Sequence, residues 1–131
     1  MNGLNQVLEA ASSLVAAFSA NDTEAYFAAF SEDASFVFHN SAQTLPNRAA
    51  YRALWESWQA DGFRVLNCQS SNQVVQFAAE NVAIFYHDVA TRISVQGEVS
   101  ESRERETIVF RRVDQQRWLA CHEHLSAMPS L

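Results

Sequence analysis

Two consecutive strand-like segments in the last third of the chain, from Glu98 to Ser126, constrain its fold more than any other feature. A β-strand sends alternate side chains to opposite faces. In the final segment one face carries Leu119, Cys121, Glu123 and Leu125, and the other carries Trp118, Ala120, His122, His124 and Ser126. Because both faces hold apolar residues, we expect one to line a core or pocket and the other to pack against a second body.

The composition is that of one folded domain with an acidic surface. The 131 residues are 48% hydrophobic and 18% charged, which is typical of globular proteins. Three glycines and two prolines leave little room for a linker, so we expect a single domain over residues 1–131. The net charge of −6 argues against nucleic acid and anionic membranes as partners.

The start of the sequence and its cysteines indicate a cellular location. Met-Asn-Gly lacks the basic start of a signal peptide, and no apolar run approaches the roughly 20 residues that span a bilayer. Cys68 and Cys121 lie on expected strands, where free, buried cysteines are common. We therefore expect a soluble cytoplasmic protein with reduced thiols.

The hydrophobic pattern places helices first and strands last. Apolar residues recur with helical spacing over 4–18, and a short helix follows Asn21 and Asp22, which can cap it. A third helix is expected over 46–62, since Gly62 is a natural stop. Strands are expected at 35–39, 63–78, 82–96, 98–112 and 117–126. This order predicts an α+β domain whose helices cover one face of an antiparallel sheet.

Four segments carry a resemblance to a known superfamily: 17–22, 30–35, 106–112 and 118–126. They resemble the nuclear transport factor 2-like superfamily, which includes ketosteroid isomerase and SnoaL-like polyketide cyclases. The last two segments are also similar to the association domain of calcium/calmodulin-dependent kinase. The resemblance implies a cone: a curved antiparallel sheet, mixed at its edge, wrapped around the N-terminal helices. It also implies a conical pocket on the concave face and a homodimer through the convex face.

The resemblance does not carry over the activities of its best-known members. The general-base aspartate, acidic oxyanion partner and tyrosine of ketosteroid isomerases fall at Phe38, Ile108 and Leu14. None of these side chains can move a proton or bind an oxyanion, so classical isomerase activity is not expected. The pocket arginines of the kinase association domain fall at Asp88, Ile108 and Leu125, which argues against an acidic ligand.

The same comparison predicts a mostly aromatic pocket. It assigns Ile108, Phe110, Leu119, Cys121, Glu123 and Leu125 to the pocket face. Alternation on the third long strand adds Tyr86, Asp88 and Arg92, and the helical side adds Phe18, Phe38, Tyr51 and Trp55. Such a composition is typical of a site for a small apolar or aromatic molecule, and neither a cofactor nor a metal is expected.

Two carboxylates are the candidate catalytic residues. Glu123 lies between Cys121 and Leu125, where desolvation would raise its pKa and suit it to general acid or base chemistry. Asp88 could form a two-carboxylate site with Glu123. Alternatively, either carboxylate could pair with Arg92, which gives a loose likeness to the Asp-Arg-Asp set of limonene epoxide hydrolases.

His122 and His124, together with His87, suggest a metal site, because alternate histidines on a strand share one side. We expect them instead on the face toward a partner subunit, in structural hydrogen bonds. A β-bulge would reverse this facing and bring the histidines into the pocket, where a histidine-based dehydratase would become credible.

Two functions from different classes therefore remain open. The first is a small-molecule-binding homodimer with an apolar pocket and an unassigned biological role. The second is a small lyase, isomerase or hydrolase that uses a pocket carboxylate as general acid or base, without a cofactor.

Overall fold

The computed structural model of the chain describes residues 2–129. Its helices are α1 (Gly3–Ser19), α2 (Thr23–Ala28) and α3 (Arg48–Ala60), and its strands are β1 (Phe30–Phe38), β2 (Phe63–Ala79), β3 (Val82–Val95), β4 (Glu98–Arg112) and β5 (Trp118–Ala127). The strands form one open sheet in the order β1-β5-β4-β3-β2. β1 pairs with β5 in parallel and the other pairs are antiparallel. The predicted α+β class with a mixed edge is confirmed.

Short polar residues begin each helix. The side chains of Asn2, Asp22 and Asn47 each accept a hydrogen bond from the backbone N–H three residues later, which satisfies a donor that the helix leaves free. After α3 the chain turns at Gly62, whose φ of 93° disfavours any residue with a Cβ. The residues that the sequence marked as helix boundaries therefore set the boundaries in the structure.

Aromatic residues from the helices and β1 form the core. Tyr26 and Phe27 on α2 pack against Phe30 on β1 and against Tyr51 and Trp55 on α3, with ring centroids 5.1–6.3 Å apart. Phe30 and Trp55 are completely buried. Because contacts of this kind contribute about 0.5–1.5 kcal/mol each beyond the burial of area, the cluster fixes α2 and α3 against the sheet.

The facing of β3 is opposite to the prediction. Its buried side chains are the odd-numbered ones, which include Phe85, His87 and Val89. Tyr86 is 43% exposed on the outer face, and Asp88 and Arg92 share that face by alternation. The error has a physical reason: β3 carries apolar residues on both faces, so its composition does not distinguish them, and the inward set includes a histidine.

A β-bulge interrupts β5. Phe110 pairs with Ala120 whereas Val109 pairs with His122, so Cys121 is an extra residue without a partner on β4. Trp118 and Ala120 consequently lie buried on the same side as Glu123, although strict alternation separates them. The predicted pocket position of Cys121 is therefore wrong. Its thiol lies near Arg111 and Asp33, at the outer surface.

The two cysteines, Cys68 and Cys121, are both free thiols. Within residues 2–129, no helix combines the length and the apolar character required to cross a membrane.

Candidate functional site

A cavity of about 450 Å³ lies between the helices and the concave face of the sheet. Six of the predicted residues line it: Phe18, Phe38, Tyr51, Trp55, Glu123 and Leu125. The structure adds several that the sequence did not single out, among them Tyr26, Trp58, Phe63, Cys68, Val89, Thr91, Glu104 and Glu106. Among the described residues, seven aromatic side chains, Tyr26 included, therefore line the cavity together with three glutamates.

The other predicted pocket residues lie elsewhere. Ile108 and Phe110 face inward as expected, but they are 0% and 1% exposed and lie in the packed core rather than at the cavity wall. The outer face of the sheet carries Tyr86, Asp88 and Arg92 on β3. It also carries Cys121, the extra residue at the bulge of β5.

The predicted pairing of Asp88 with Glu123 is not formed. Asp88 Oδ2 accepts a hydrogen bond from Asn72 Nδ2 at 2.8 Å, and its other oxygen lies 3.9 Å from Arg105 Nε. Glu123 lies on the opposite face of the sheet, so the expected set of two carboxylates and Arg92 is absent from the described residues.

Glu123 lies at the centre of the site. On β5 it pairs with Phe36 on one side and Ile108 on the other, two completely buried residues, and it is itself only 3% exposed. Burial raises the pKa of Glu123 well above its ordinary value. The charge of Glu106, a hydrogen bond to Glu106 and the charge of Glu104 raise the pKa further.

One oxygen of Glu123 has no partner. Within residues 2–129, Glu123 Oε1 is buried and makes no hydrogen bond. The hydrogen bond to Glu106 that helps to raise the pKa of Glu123 therefore falls to the other carboxyl oxygen. A buried polar atom without a partner is costly, so a site that retains one is suited to a ligand that supplies the missing bond.

Glu106 is held by a chain of polar groups that the sequence analysis missed. His87 Nε2 lies 2.7 Å from Glu106 Oε1, and His87 Nδ1 lies 2.5 Å from Ser70 Oγ. Gln73 Nε2 donates to the same Ser70 oxygen at 2.8 Å, which leaves the hydroxyl hydrogen free to donate to Nδ1. Both ring nitrogens of His87 are thus engaged, Nδ1 by Ser70 and Nε2 by Glu106, and this chain of contacts holds the Glu106 carboxyl in place.

The third glutamate of the cavity is paired with a histidine. Glu104 Oε2 lies 2.6 Å from His39 Nε2, and Ser102 Oγ donates to Glu104 Oε1 at 3.2 Å. The His39 side chain is 35% exposed, so this pair reaches solvent, whereas the His87 side chain that contacts Glu106 is fully buried. The sequence contained a signal for these glutamates. Ile108 was predicted to face the pocket, and by alternation on β4 Glu104 and Glu106 lie on the same face as Ile108.

Two buried tyrosines complete the polar part of the site. The hydroxyl oxygens of Tyr26 and Tyr51 are 2.8 Å apart. Burial, and after it the charge of Glu123, raises the pKa of both phenols well above their ordinary value. Both tyrosines therefore remain neutral and cannot act as bases near neutral pH.

The histidines of β5 point away from the cavity. His122 Nδ1 lies 2.8 Å from Ser35 Oγ on β1, and the rings of His122 and His124 are 6.4 Å apart. In the part of the chain that the structure describes, no three histidine, cysteine or acidic side chains cluster as metal ligands would. His87, which we had grouped with them, lies on the other face of the sheet.

The chain belongs to the family of SnoaL-like domains, whose model matches residues 7–130. It is thereby a member of the nuclear transport factor 2-like superfamily, and the resemblance inferred from its sequence is confirmed. No curated protein matches the sequence.

Solved structures share the fold at low sequence identity. A nuclear transport factor 2-like protein of unknown function in nutrient uptake from Rhodospirillum rubrum is 20% identical, with 94% of this chain and 98% of that chain covered and a TM-score of 0.81. A ketosteroid isomerase-like protein from Erwinia carotovora atroseptica is 14% identical, with 99% and 100% covered and a TM-score of 0.85. A nuclear transport factor 2-like protein with a cystatin-like fold from Novosphingobium aromaticivorans is 19% identical, with 98% and 83% covered and a TM-score of 0.73.

Proposed function

We propose that this protein binds a small, largely apolar molecule in the conical cavity and that Glu123 orients it. The supporting observation is the unpartnered Oε1 of Glu123, a buried polar atom at the wall of an otherwise aromatic cavity. The volume of about 450 Å³ lies within the range of small-molecule sites. A ligand that hydrogen-bonds to this oxygen removes the cost of leaving it unpaired.

A pair of matched valine substitutions tests the binding function. Val89 is 5% exposed and lines the cavity, whereas Val74 is 40% exposed and pairs with Tyr86 on the outer face. Val89→Phe should fill part of the cavity and weaken binding of the neutral dye Nile red, measured by its fluorescence, at least tenfold. Val74→Phe should leave binding unchanged. Circular dichroism establishes that both variants are folded, and equal dye binding by the two folded variants would refute the proposal.

A second candidate function is acid–base catalysis, favoured by the chain from Ser70 through His87 and Glu106 to Glu123. One carboxyl group of this chain could take a proton from a substrate carbon while a neighbouring carboxyl group donates one at another position. The result is an isomerisation that needs no co-reactant. Deuterium incorporation into an enolisable aryl ketone such as 2-tetralone, in D₂O, measures this activity. Incorporation that Glu123→Gln abolishes supports catalysis, and equal incorporation with and without the protein argues for binding alone.

We further propose a homodimer formed through the outer face of the sheet. Ile84, Tyr86, Val109, His122 and His124 share that face, and Tyr86 exposes 43% of its surface. A partner subunit would cover these side chains. Multi-angle light scattering of the purified chain should give twice the mass of the monomer.

We also propose a cytoplasmic location, supported by the two free thiols. Fractionation of cells that express the tagged chain tests this, and recovery with secreted proteins would contradict it.

A further inference from the structure

We infer that the ligand is an organic cation, an apolar molecule that carries a protonated amine. This inference rests on the proposed binding function and adds the chemical class of the ligand. Three features of the cavity support it: the sign of its charge, the hydrogen-bonding capacity of its inner wall, and the aromatic rings that surround it.

The charge of the cavity is one-sided. Besides the buried Glu123, its lining includes the carboxyl groups of Asp61, Glu104 and Glu106 and, among the residues that the structure describes, no arginine or histidine. His39 adjoins the cavity through Glu104, which already uses it as a partner. An anionic ligand would be repelled here, and a cation would be attracted with little screening inside the cavity.

The inner wall of the cavity accepts hydrogen bonds. Within residues 2–129, Glu123 Oε1 is an acceptor that no donor reaches. Glu123 lines the cavity and is 3% exposed, so this unpartnered acceptor belongs to the cavity wall. An ammonium group has donors and no acceptor. It therefore complements Oε1 in a way that a carbonyl or a carboxylate of a ligand does not.

Aromatic side chains line the cavity beside its acidic residues. Trp58 lies 6.3 Å from Tyr51 and 5.7 Å from Phe63, measured between ring centroids, and Phe63 lies 5.7 Å from Trp55. The faces of such rings attract cations, by about 2 kcal/mol when the site is desolvated. The combination of rings and carboxylates accommodates both the apolar body and the charged end of an arylalkylamine.

Three probes of nearly the same shape but different charge test the inference. They are 2-(1-naphthyl)ethylamine, the corresponding alcohol and 1-naphthaleneacetate, each titrated into the full chain by isothermal calorimetry at pH 7. We expect the amine to bind at least tenfold more tightly than the alcohol, and the acetate to bind weakest. Added salt should weaken the binding of the amine and leave the binding of the alcohol unchanged.

Two matched variants locate the effect. Glu104→Gln removes one cavity charge while its amide oxygen can still accept from Ser102. Glu101→Gln removes one charge from an exposed position on the same strand. We expect Glu104→Gln to weaken amine binding about fivefold, roughly 1 kcal/mol, with little effect on the alcohol. Glu101→Gln should change neither the affinity for the amine nor the affinity for the alcohol.

The outcomes separate the two proposals. An alcohol or acetate that binds as tightly as the amine would overturn the cation inference and leave the binding function standing. Equal loss of amine affinity in both variants would also overturn it, because the effect would then be general electrostatics. No binding of any of the three probes would overturn the binding function itself.

Discussion

His87 Nε2 lies 2.7 Å from Glu106 Oε1 on the concave face of the sheet, and the His87 side chain is fully buried. This contact joins β3 to β4 beneath the cavity and fixes which oxygen of Glu106 remains available to Glu123. The acid pair of the site therefore depends on a histidine that does not itself line the cavity.

Replacing His87 tests that dependence. His87→Leu removes the donor to Glu106 and the partner of Ser70, so we expect the free energy of unfolding in urea to fall by about 2–3 kcal/mol. His87→Gln keeps a side-chain donor near Glu106 and should lose less than half as much. Equal losses in the two variants would show that the packing of the ring, rather than its hydrogen bond, is what matters.

The raised pKa of Glu123 predicts a pH-dependent stability. Above the ordinary glutamate pKa the unfolded chain releases its proton while the folded chain retains it, so the native state binds more protons. The free energy of unfolding therefore decreases as the pH rises through this window, by up to about 1.4 kcal/mol per pH unit for one proton. The groups that face Glu123 are Glu104 and Glu106 from β4, Tyr26 from α2 and Tyr51 from α3.

Glu123→Gln should remove that decline, because a glutamine amide does not titrate and can donate to Glu106. Urea unfolding at a series of pH values between 5 and 8 should give a flatter profile for the variant than for the wild type. The variant should be the more stable of the two at pH 8. Two parallel profiles would contradict the assignment.

The two thiols should differ in reactivity. Burial raises the pKa of Cys68 to about 11, whereas Cys121 lies beside Arg111, whose charge partly offsets the smaller effect of burial on that thiol. Since the thiolate is the reactive form, iodoacetamide at pH 8 should modify Cys121 first. Peptide mass spectrometry measures the order. Ligand in the cavity should slow Cys68 further, and rapid modification of Cys68 in the free protein would contradict its burial at the cavity wall.

The outer face offers a test of the homodimer. Tyr86→Glu places a charge at the centre of that face and should convert the dimer to a monomer in light scattering at micromolar concentration. Leu66→Glu is the matched control, because Leu66 is 46% exposed on the edge strand. A wild-type monomer, or dissociation by both substitutions, would contradict the proposed interface.

The sequence predicted much of the fold because the relevant patterns are local. Capping residues such as Asp22 and Asn47, the stop at Gly62 and the long strand-forming runs each determine structure within a few residues. The resemblance to the superfamily supplied the arrangement of these elements, which local pattern alone does not specify.

The site was predicted less completely because its facing depends on strand register. The bulge at Cys121 displaces one residue and has no composition that distinguishes it from regular strand. On β3, apolar Ile84 and Tyr86 on the outer face balance Phe85 and Val89 on the inner face, so alternation could not choose between them. Glu123 was found because its facing was inferred from the resemblance, whereas His87 was missed because the facing of β3 was predicted the wrong way round.

The central claim is that buried Glu123 retains its proton to a clearly higher pH than an exposed glutamate, with one carboxyl oxygen left without a hydrogen-bond donor at the cavity wall. Carbon-13 NMR of the side-chain carboxyl groups across a pH titration, assigned with Glu123→Gln, measures this directly. We expect the Glu123 resonance to stay unshifted through the range where exposed carboxyl groups ordinarily titrate, and to move only at clearly higher pH. A Glu123 resonance that titrates together with those exposed carboxyls would contradict the account.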